Sequence, residues 1–141
     1  MKRTASAHWS GTLKEGKGTL STGSGVLKDS PYGFKTRFED APGTNPEELV
    51  GAAHAGCFSM AFSMLLGEED FTADSIDTKA TVTLDKQDGG FAVTAVHLDM
   101  RAKIPGINED QFRNIANKAK AGCPISKLLK ADISLDAHLE N

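Results

Sequence analysis

At 141 residues the chain has the length of one domain and can bury a core without help from disulfides or metals. With 25% charged and 39% hydrophobic residues it has the make-up of a folded protein, and 16 basic against 19 acidic side chains (net charge −3) argue against a general nucleic-acid binder, which needs a basic excess to release counterions. Two cysteines, Cys57 and Cys123, are too few for a disulfide scaffold or an all-cysteine zinc site, but they can make one bridge, structural or reactive.

Lys2 and Arg3 open the chain without a following apolar run, so the expected address is the cytoplasm. There a conditional disulfide is more usual than a permanent one. The first 40 residues are rich in Gly, Ser and Thr. Three short strands are expected, over Ala5–Leu13, Gly18–Ser21 and Gly33–Phe38. On the third, the alternation of Phe34, Thr36 and Phe38 places Arg37 on the opposite face, where it reads as a surface residue.

Gly43-Thr44-Asn45-Pro46-Glu47-Glu48 is the clearest helix start. Asn45 can cap, Pro46 suits the first helical position, and acids suit the first turn. With Asn45 as cap, Glu48 takes the capping-box position and Glu47 is the freer carboxylate. The helix should run to Leu66 and stop at Gly67. From Leu49 to Gly67 it carries no Asp, Glu, Lys or Arg, a length near that of a membrane span. His54, Ser59 and Ser63 within it and acids on both flanks favour a central helix, packed on every side inside a soluble protein or oligomer, so no membrane association is expected.

Ile76–Leu84 alternates as a half-buried strand, Asp88-Gly89-Gly90 turns the chain, and Phe91–Ala102 returns as the second strand of a hairpin. Asn108 can cap a helix striped by Phe112, Ile115, Ala116 and Ala119 and ended by Gly122. Pro124–Lys130 forms a short helix, and Ile133–Leu139 a last strand. This order predicts a single α+β domain over residues 1–141 with antiparallel sheet.

The two thiols differ in setting. Cys57 lies within the long helix, where a cysteine can be a small core hydrophobe. Cys123 lies between Gly122 and Pro124, at a helix start that favours thiolate, or else caps poorly. His54 and Cys57, three apart, share a helical face, which suits a thiol–imidazole pair. No further ligands gather near them, so a metal is not expected.

Taken together, Gly43-Thr44-Asn45-Pro46-Glu47-Glu48-Leu49, Ala52-Ala53-His54-Ala55-Gly56-Cys57-Phe58 and Cys123-Pro124-Ile125-Ser126 resemble the OsmC/Ohr family of osmotically inducible and organic-hydroperoxide-resistance proteins. The resemblance spans essentially the whole chain, and Pro31-Tyr32-Gly33-Phe34 favours the OsmC branch. It implies an intertwined α+β homodimer, with antiparallel sheets around long central helices and two active sites at the interface. It also implies a cysteine-based peroxidase without cofactor or metal, acting on a hydroperoxide and reset by an external dithiol reductant. Carried over residue by residue, Cys57 is peroxidatic, Cys123 resolving, Arg37 the thiolate-activating guanidinium and Glu47 its carboxylate partner.

The chemistry is consistent with those residue types. A cysteine at its usual pKa is mostly protonated at neutral pH, and a guanidinium beside it favours the thiolate and the leaving alkoxide. Attack on the peroxide leaves a sulfenic acid, which a second thiol closes to a disulfide before over-oxidation. The apolar side chains Phe58, Phe62 and Met64 are expected to favour organic peroxides. On one straight helix Glu47 and Cys57 stand roughly 15 Å apart. Either that helix breaks between them or Glu47 serves the partner subunit's site. The readings that compete with a peroxidase are a Cys57–His54 hydrolase and a non-enzymatic, redox-responsive binding module.

Overall fold

The structure, a computed structural model, describes residues 1–141. The chain divides into two compact units, Met1–Leu49 and Val50–Asn141.

The first unit is an antiparallel sheet of three strands in sequence order: β1 (Ala5–Ser10), β2 (Lys17–Thr22) and β3 (Ser30–Tyr32). Trp9 and Tyr32 flank Gly18, their ring centroids 5.6 Å apart. A Cβ on Gly18 would lie 2.6 Å from the Trp9 ring, so only glycine fits between them.

The expected strand over Gly33–Phe38 is instead a one-turn helix, α1 (Phe34–Phe38). Gly33 N–H donates to Thr36 Oγ1 (2.8 Å), and the Thr36 hydroxyl donates back to the Gly33 carbonyl (3.0 Å). That local closure wins over the strand pattern. Phe34 and Phe38, four apart, then share one face with centroids 5.0 Å apart.

The second unit is built on the long helix α2 (Pro46–Glu68), which starts at the end of the first. Asn45 Oδ1 caps it, accepting from Glu48 N–H at 2.8 Å. It passes through Gly67, one turn position beyond the expected stop, and ends where Asp70 adopts φ +62°. By length and composition it could cross a membrane. One face, carrying His54, Phe58, Phe62 and Leu66, is sunk in the core of this unit.

That core lies against a three-stranded sheet, β4 (Ser75–Gln87), β5 (Gly90–Lys103) and β6 (Asp132–Leu139). β4 and β5 form the expected antiparallel hairpin. β6, however, pairs with β5 in parallel, so this sheet is mixed where an antiparallel one was expected. The reason is the connection. α3 (Glu109–Gly122) and α4 (Pro124–Leu128) form a crossover that returns the chain in its original direction. Phe62 meets Phe58 stacked and Phe112 of α3 edge-on, centroids 6.1 and 5.8 Å away. Gly51 brings α2 close to the sheet, where a Cβ would stand 3.3 Å from Val82.

The opposite face of α2 is uncovered. Ala52, Ala53, Gly56, Ser63 and Gly67 are exposed, with Met60 and Met64 at 78% and 61%. The expectation of a helix packed on every side therefore does not hold within one chain.

Candidate active site

In the first unit, Arg37 and Glu47 come together. Arg37 projects from α1 and Glu47 from the first turn of α2. The guanidinium donates through Nε to Oε1 and Oε2 (3.0 and 3.2 Å) and through Nη2 to Oε1 (2.8 Å). Charge-assisted bonds from two nitrogens fix the plane of the guanidinium as well as its position. Asn45 holds the two short segments together. While its Oδ1 caps α2, its Nδ2 donates to the Thr36 carbonyl at 3.1 Å. Gly43, at φ +137°, lets the chain turn between them, where a Cβ would come within 2.8 Å of Thr36 Cγ2. Arg37 is thus neither on a strand nor a free surface residue, and Glu47 is the carboxylate it engages.

Arg37 also lies over the Phe38 ring, 5.4 Å from its centroid. Together with Trp9, Leu13, Tyr32, Gly33, Phe34 and Phe38 it lines a cleft of about 190 Å³. The guanidinium is the one charge in an otherwise aromatic and aliphatic wall.

In the second unit, Cys57 and Cys123 come together although 66 residues separate them in the sequence. Cys57 is half-buried on α2; Cys123 is fully buried at the junction of α3 and α4. They are near enough for each thiol to bear on the other's ionisation. Burial pushes the Cys57 thiol up. The Ile125 N–H pulls it down, and the neighbouring Cys123 adds to the rise. Burial likewise opposes ionisation of Cys123, but donors more than offset it there: Ser126 N–H, the Cys57 thiol, the Ser126 hydroxyl and Ile125 N–H. The Cys123 thiol is held below its ordinary value.

The donors follow from the sequence Cys123-Pro124-Ile125-Ser126. Cys123 is the N-cap of α4, so its Sγ accepts from Ser126 N–H at 3.4 Å, and the Ser126 hydroxyl also approaches it at 3.6 Å.

His54 does not form the expected pair with Cys57. It is fully buried, and its Nε2 lies 2.7 Å from Ser126 Oγ. Its hydrogen bond therefore leads to the Cys123 side of the site. Its Nδ1 makes no hydrogen bond, and burial pushes its pKa down, so it is neutral near pH 7. The thiol–imidazole pair that a Cys57–His54 hydrolase requires is absent. Ser126 is the functional side chain that sequence reasoning missed. The capping position of Cys123 was the available signal, because it places the third helical residue at the sulfur.

Phe58 and Phe62, expected to favour organic peroxides, are fully buried in the core and present no surface to a substrate. No group of three or more His, Cys, Asp or Glu side chains is arranged to hold a metal ion.

Comparison with known proteins shows the family and the fold. Residues 38–138 match the family model described as OsmC-like protein. Over 135 residues the chain is 60% identical to peroxiredoxin OsmC of Escherichia coli, covering 96% of this chain and 94% of that one. The crystal structure of the organic hydroperoxide resistance protein OhrB of Bacillus subtilis superposes with a TM-score of 0.70 at 25% identity, covering 95% and 97%. An OsmC-like protein of unknown function from Vibrio cholerae superposes at 0.77 and 18% identity, covering 97% and 99%, a likeness of fold. The chain belongs to the OsmC family.

Proposed function

We propose that this chain is a cysteine-based peroxidase that reduces organic hydroperoxides, with Cys57 as the peroxidatic and Cys123 as the resolving thiol. The observation that carries the reading is the nearness of two cysteines held on different elements, close enough that each bears on the other's ionisation. The name peroxiredoxin, borne by a relative 60% identical over nearly the whole chain, supports it.

Cys57 attacks the hydroperoxide and takes one oxygen, forming a sulfenic acid while an alcohol leaves. Cys123 condenses with it to a disulfide, releasing water. An external dithiol then reduces the disulfide, which fits a cytoplasmic site of action. Within its own unit the Cys57 thiol is pushed up by burial, so a cation is needed to make it a thiolate at neutral pH. Arg37, aimed by Glu47, is that cation and also stabilises the departing alkoxide. The cleft of Trp9, Leu13, Tyr32, Phe34 and Phe38 beside Arg37 receives the organic group.

The working form is a homodimer. α2 runs as one helix from Pro46 to Glu68, which supports service of the partner subunit's site by Glu47 over a break between Glu47 and Cys57. Ten residues of straight helix then put roughly 15 Å between them, and Arg37–Glu47 of one subunit serves Cys57 of the other. The small and thioether side chains on the uncovered face of α2 suit a close helix contact with a second copy.

The test is peroxide consumption with excess dithiol by wild type, Cys57→Ser and Cys123→Ser, with oxidised species identified by mass spectrometry. Cys57→Ser is expected to be inactive. Cys123→Ser is expected to complete one turnover and then accumulate sulfinic acid at Cys57. Full activity in Cys57→Ser refutes the reading. A single stoichiometric oxidation of wild type without turnover identifies a redox-responsive module instead.

A further inference from the structure

A histidine buried in an apolar core is costly unless its nitrogens are used. His54 is fully buried, with Nδ1 unbonded and Nε2 spent on Ser126. Its hydrogen-bond partner is the Ser126 hydroxyl of α4. That hydroxyl is in turn one of the donors at Cys123 Sγ. Three side chains from α2, α4 and the α3–α4 junction thus form a chain, His54 Nε2 to Ser126 Oγ (2.7 Å) to Cys123 Sγ (3.6 Å). The titratable group outside this chain that bears on Cys123 is Cys57. Burial is the cause that lowers the His54 pKa.

We propose that Ser126 and His54 form a proton relay that deprotonates Cys123 for attack on the Cys57 sulfenic acid, Ser126 touching the reacting sulfur and His54 acting as a positioning residue through it. The inference rests on the assignment of Cys57 and Cys123 as peroxidatic and resolving thiols.

The step balances within the chain. At rest the Ser126 hydroxyl donates to Cys123 Sγ; the relay starts when that hydroxyl turns to donate to His54 Nε2 and the Cys123 S–H turns to Ser126 Oγ. The thiol proton passes to Ser126 as the serine proton passes to His54. The freed electron pair on Cys123 Sγ attacks Cys57 Sγ. The S–S bond forms, the S–O bond breaks, and the hydroxide leaves with a proton returned from the imidazolium, as water. The sulfenic sulfur is reduced and the thiol sulfur oxidised by equal amounts, so no outside electrons are needed.

Such a relay suits a thiol with no exposure of its own. Cys123 is fully buried, so bulk water cannot take its proton directly. The relay carries the proton inward to a base that burial keeps neutral at working pH. It also separates the duties of the two thiols. The peroxidatic step depends on Arg37, the resolving step on His54 and Ser126.

The experiment is a single turnover followed in time. Reduced protein is mixed with one equivalent of an organic hydroperoxide between pH 5.5 and 9. Samples are quenched with a sulfenic-acid trap, and mass spectrometry counts the Cys57 sulfenic acid and the Cys57–Cys123 disulfide. Wild type, Ser126→Ala and His54→Gln are compared, each checked for folding by circular dichroism. Sulfenic acid is expected to form at the wild-type rate in both variants. Disulfide formation is expected to slow about tenfold or more near pH 6, and the deficit to close toward pH 9, where Cys123 is already ionised at equilibrium before the peroxide is added. Closure at high pH is not expected of a merely structural defect.

Ser126→Ala keeps the test open if His54→Gln fails to fold. Wild-type disulfide rates in folded Ser126→Ala across the pH range overturn the relay, as does a deficit independent of pH. A wild type that forms sulfenic acid and disulfide while the variants match it refutes the relay alone. A wild type that forms neither overturns the thiol assignments and the relay with them.

Discussion

Glu47 holds Arg37 edge-on, with Nε and Nη2 both donating to Oε1 at 3.0 and 2.8 Å. Two of the five Arg37 N–H donors are thereby committed to orientation, and the remaining edge is left to act on something else. Replacing Glu47 by Gln keeps the shape but removes the charge and puts an amide donor beside a donor. The expected outcome is a fall in kcat/KM of about ten- to a hundredfold from misaimed guanidinium. Stability should change by less than about 1 kcal/mol, because Arg37 is well exposed. Steady-state kinetics with a thermal melt separate the two. A Glu47→Gln protein of normal activity removes Glu47 from the site.

A site shared between subunits makes a distinctive prediction about mixtures. Cys57→Ser and Arg37→Ala are each expected to be inactive. A mixed dimer has one site with an intact Cys57 from one chain and an intact Arg37 from the other, and one site with neither. Unfolding and refolding equal amounts together should restore about a quarter of wild-type activity, from half the dimers each with one working site. Sites confined to one subunit predict no recovery.

The uncovered stripe of α2 tests the same point differently. Met60 is 78% exposed in the single chain, so Met60→Asp should cost a monomer little. In the proposed dimer it places a carboxylate where two helices meet. Analytical ultracentrifugation should show dissociation, with activity falling in step. An unchanged dimer with full activity would place the interface elsewhere.

Much of this was legible in the sequence because local chemistry marked it. Asn45-Pro46-Glu47-Glu48 announces the start of α2, and the same cap logic singles out Glu47 over Glu48 as the free carboxylate. The β4–β5 hairpin follows from alternation on either side of Asp88-Gly89. α1 was not legible, because Phe34, Thr36 and Phe38 satisfy a two-residue repeat while Phe34 and Phe38 also satisfy a helical one. The Gly33–Thr36 hydrogen bonds decide between the two patterns. The parallel course of β6 was hidden because an alternating strand carries no sign of its direction. His54 was legible as a neighbour of Cys57 along α2 but not as a partner of Ser126, 72 residues away. Only the packing of α4 against α2 brings that pair together.

Burial of His54 has a thermodynamic consequence below neutral pH. Its folded pKa is pushed below the ordinary 6.5, so between the two values the unfolded chain binds a proton that the native protein does not. Stability therefore rises with pH through that window and is lost as pH falls below about 6.5. Urea unfolding at pH 5, 6 and 7 should show a decline toward pH 5 that His54→Gln flattens. An equal slope in the variant would place the proton uptake on other groups.

The cleft beside Arg37 predicts how the enzyme tells organic peroxides from hydrogen peroxide. Its wall of Trp9, Leu13, Tyr32, Phe34 and Phe38 rewards an apolar substituent on the peroxide and offers hydrogen peroxide little. Leu13 is the informative position, because it is 65% exposed and can be changed without disturbing a core. Trp9 is unsuitable, since its ring packs against Gly18 and Tyr32. Leu13→Asn should raise KM for a bulky organic hydroperoxide several-fold, up to about tenfold. Its kcat should be little changed, because the substituent is bound alike in the ground and transition states. The rate with hydrogen peroxide should stay at the wild-type level. Equal effects on both peroxides would mean that Leu13 acts on Arg37 or on folding, and that the organic group lies elsewhere.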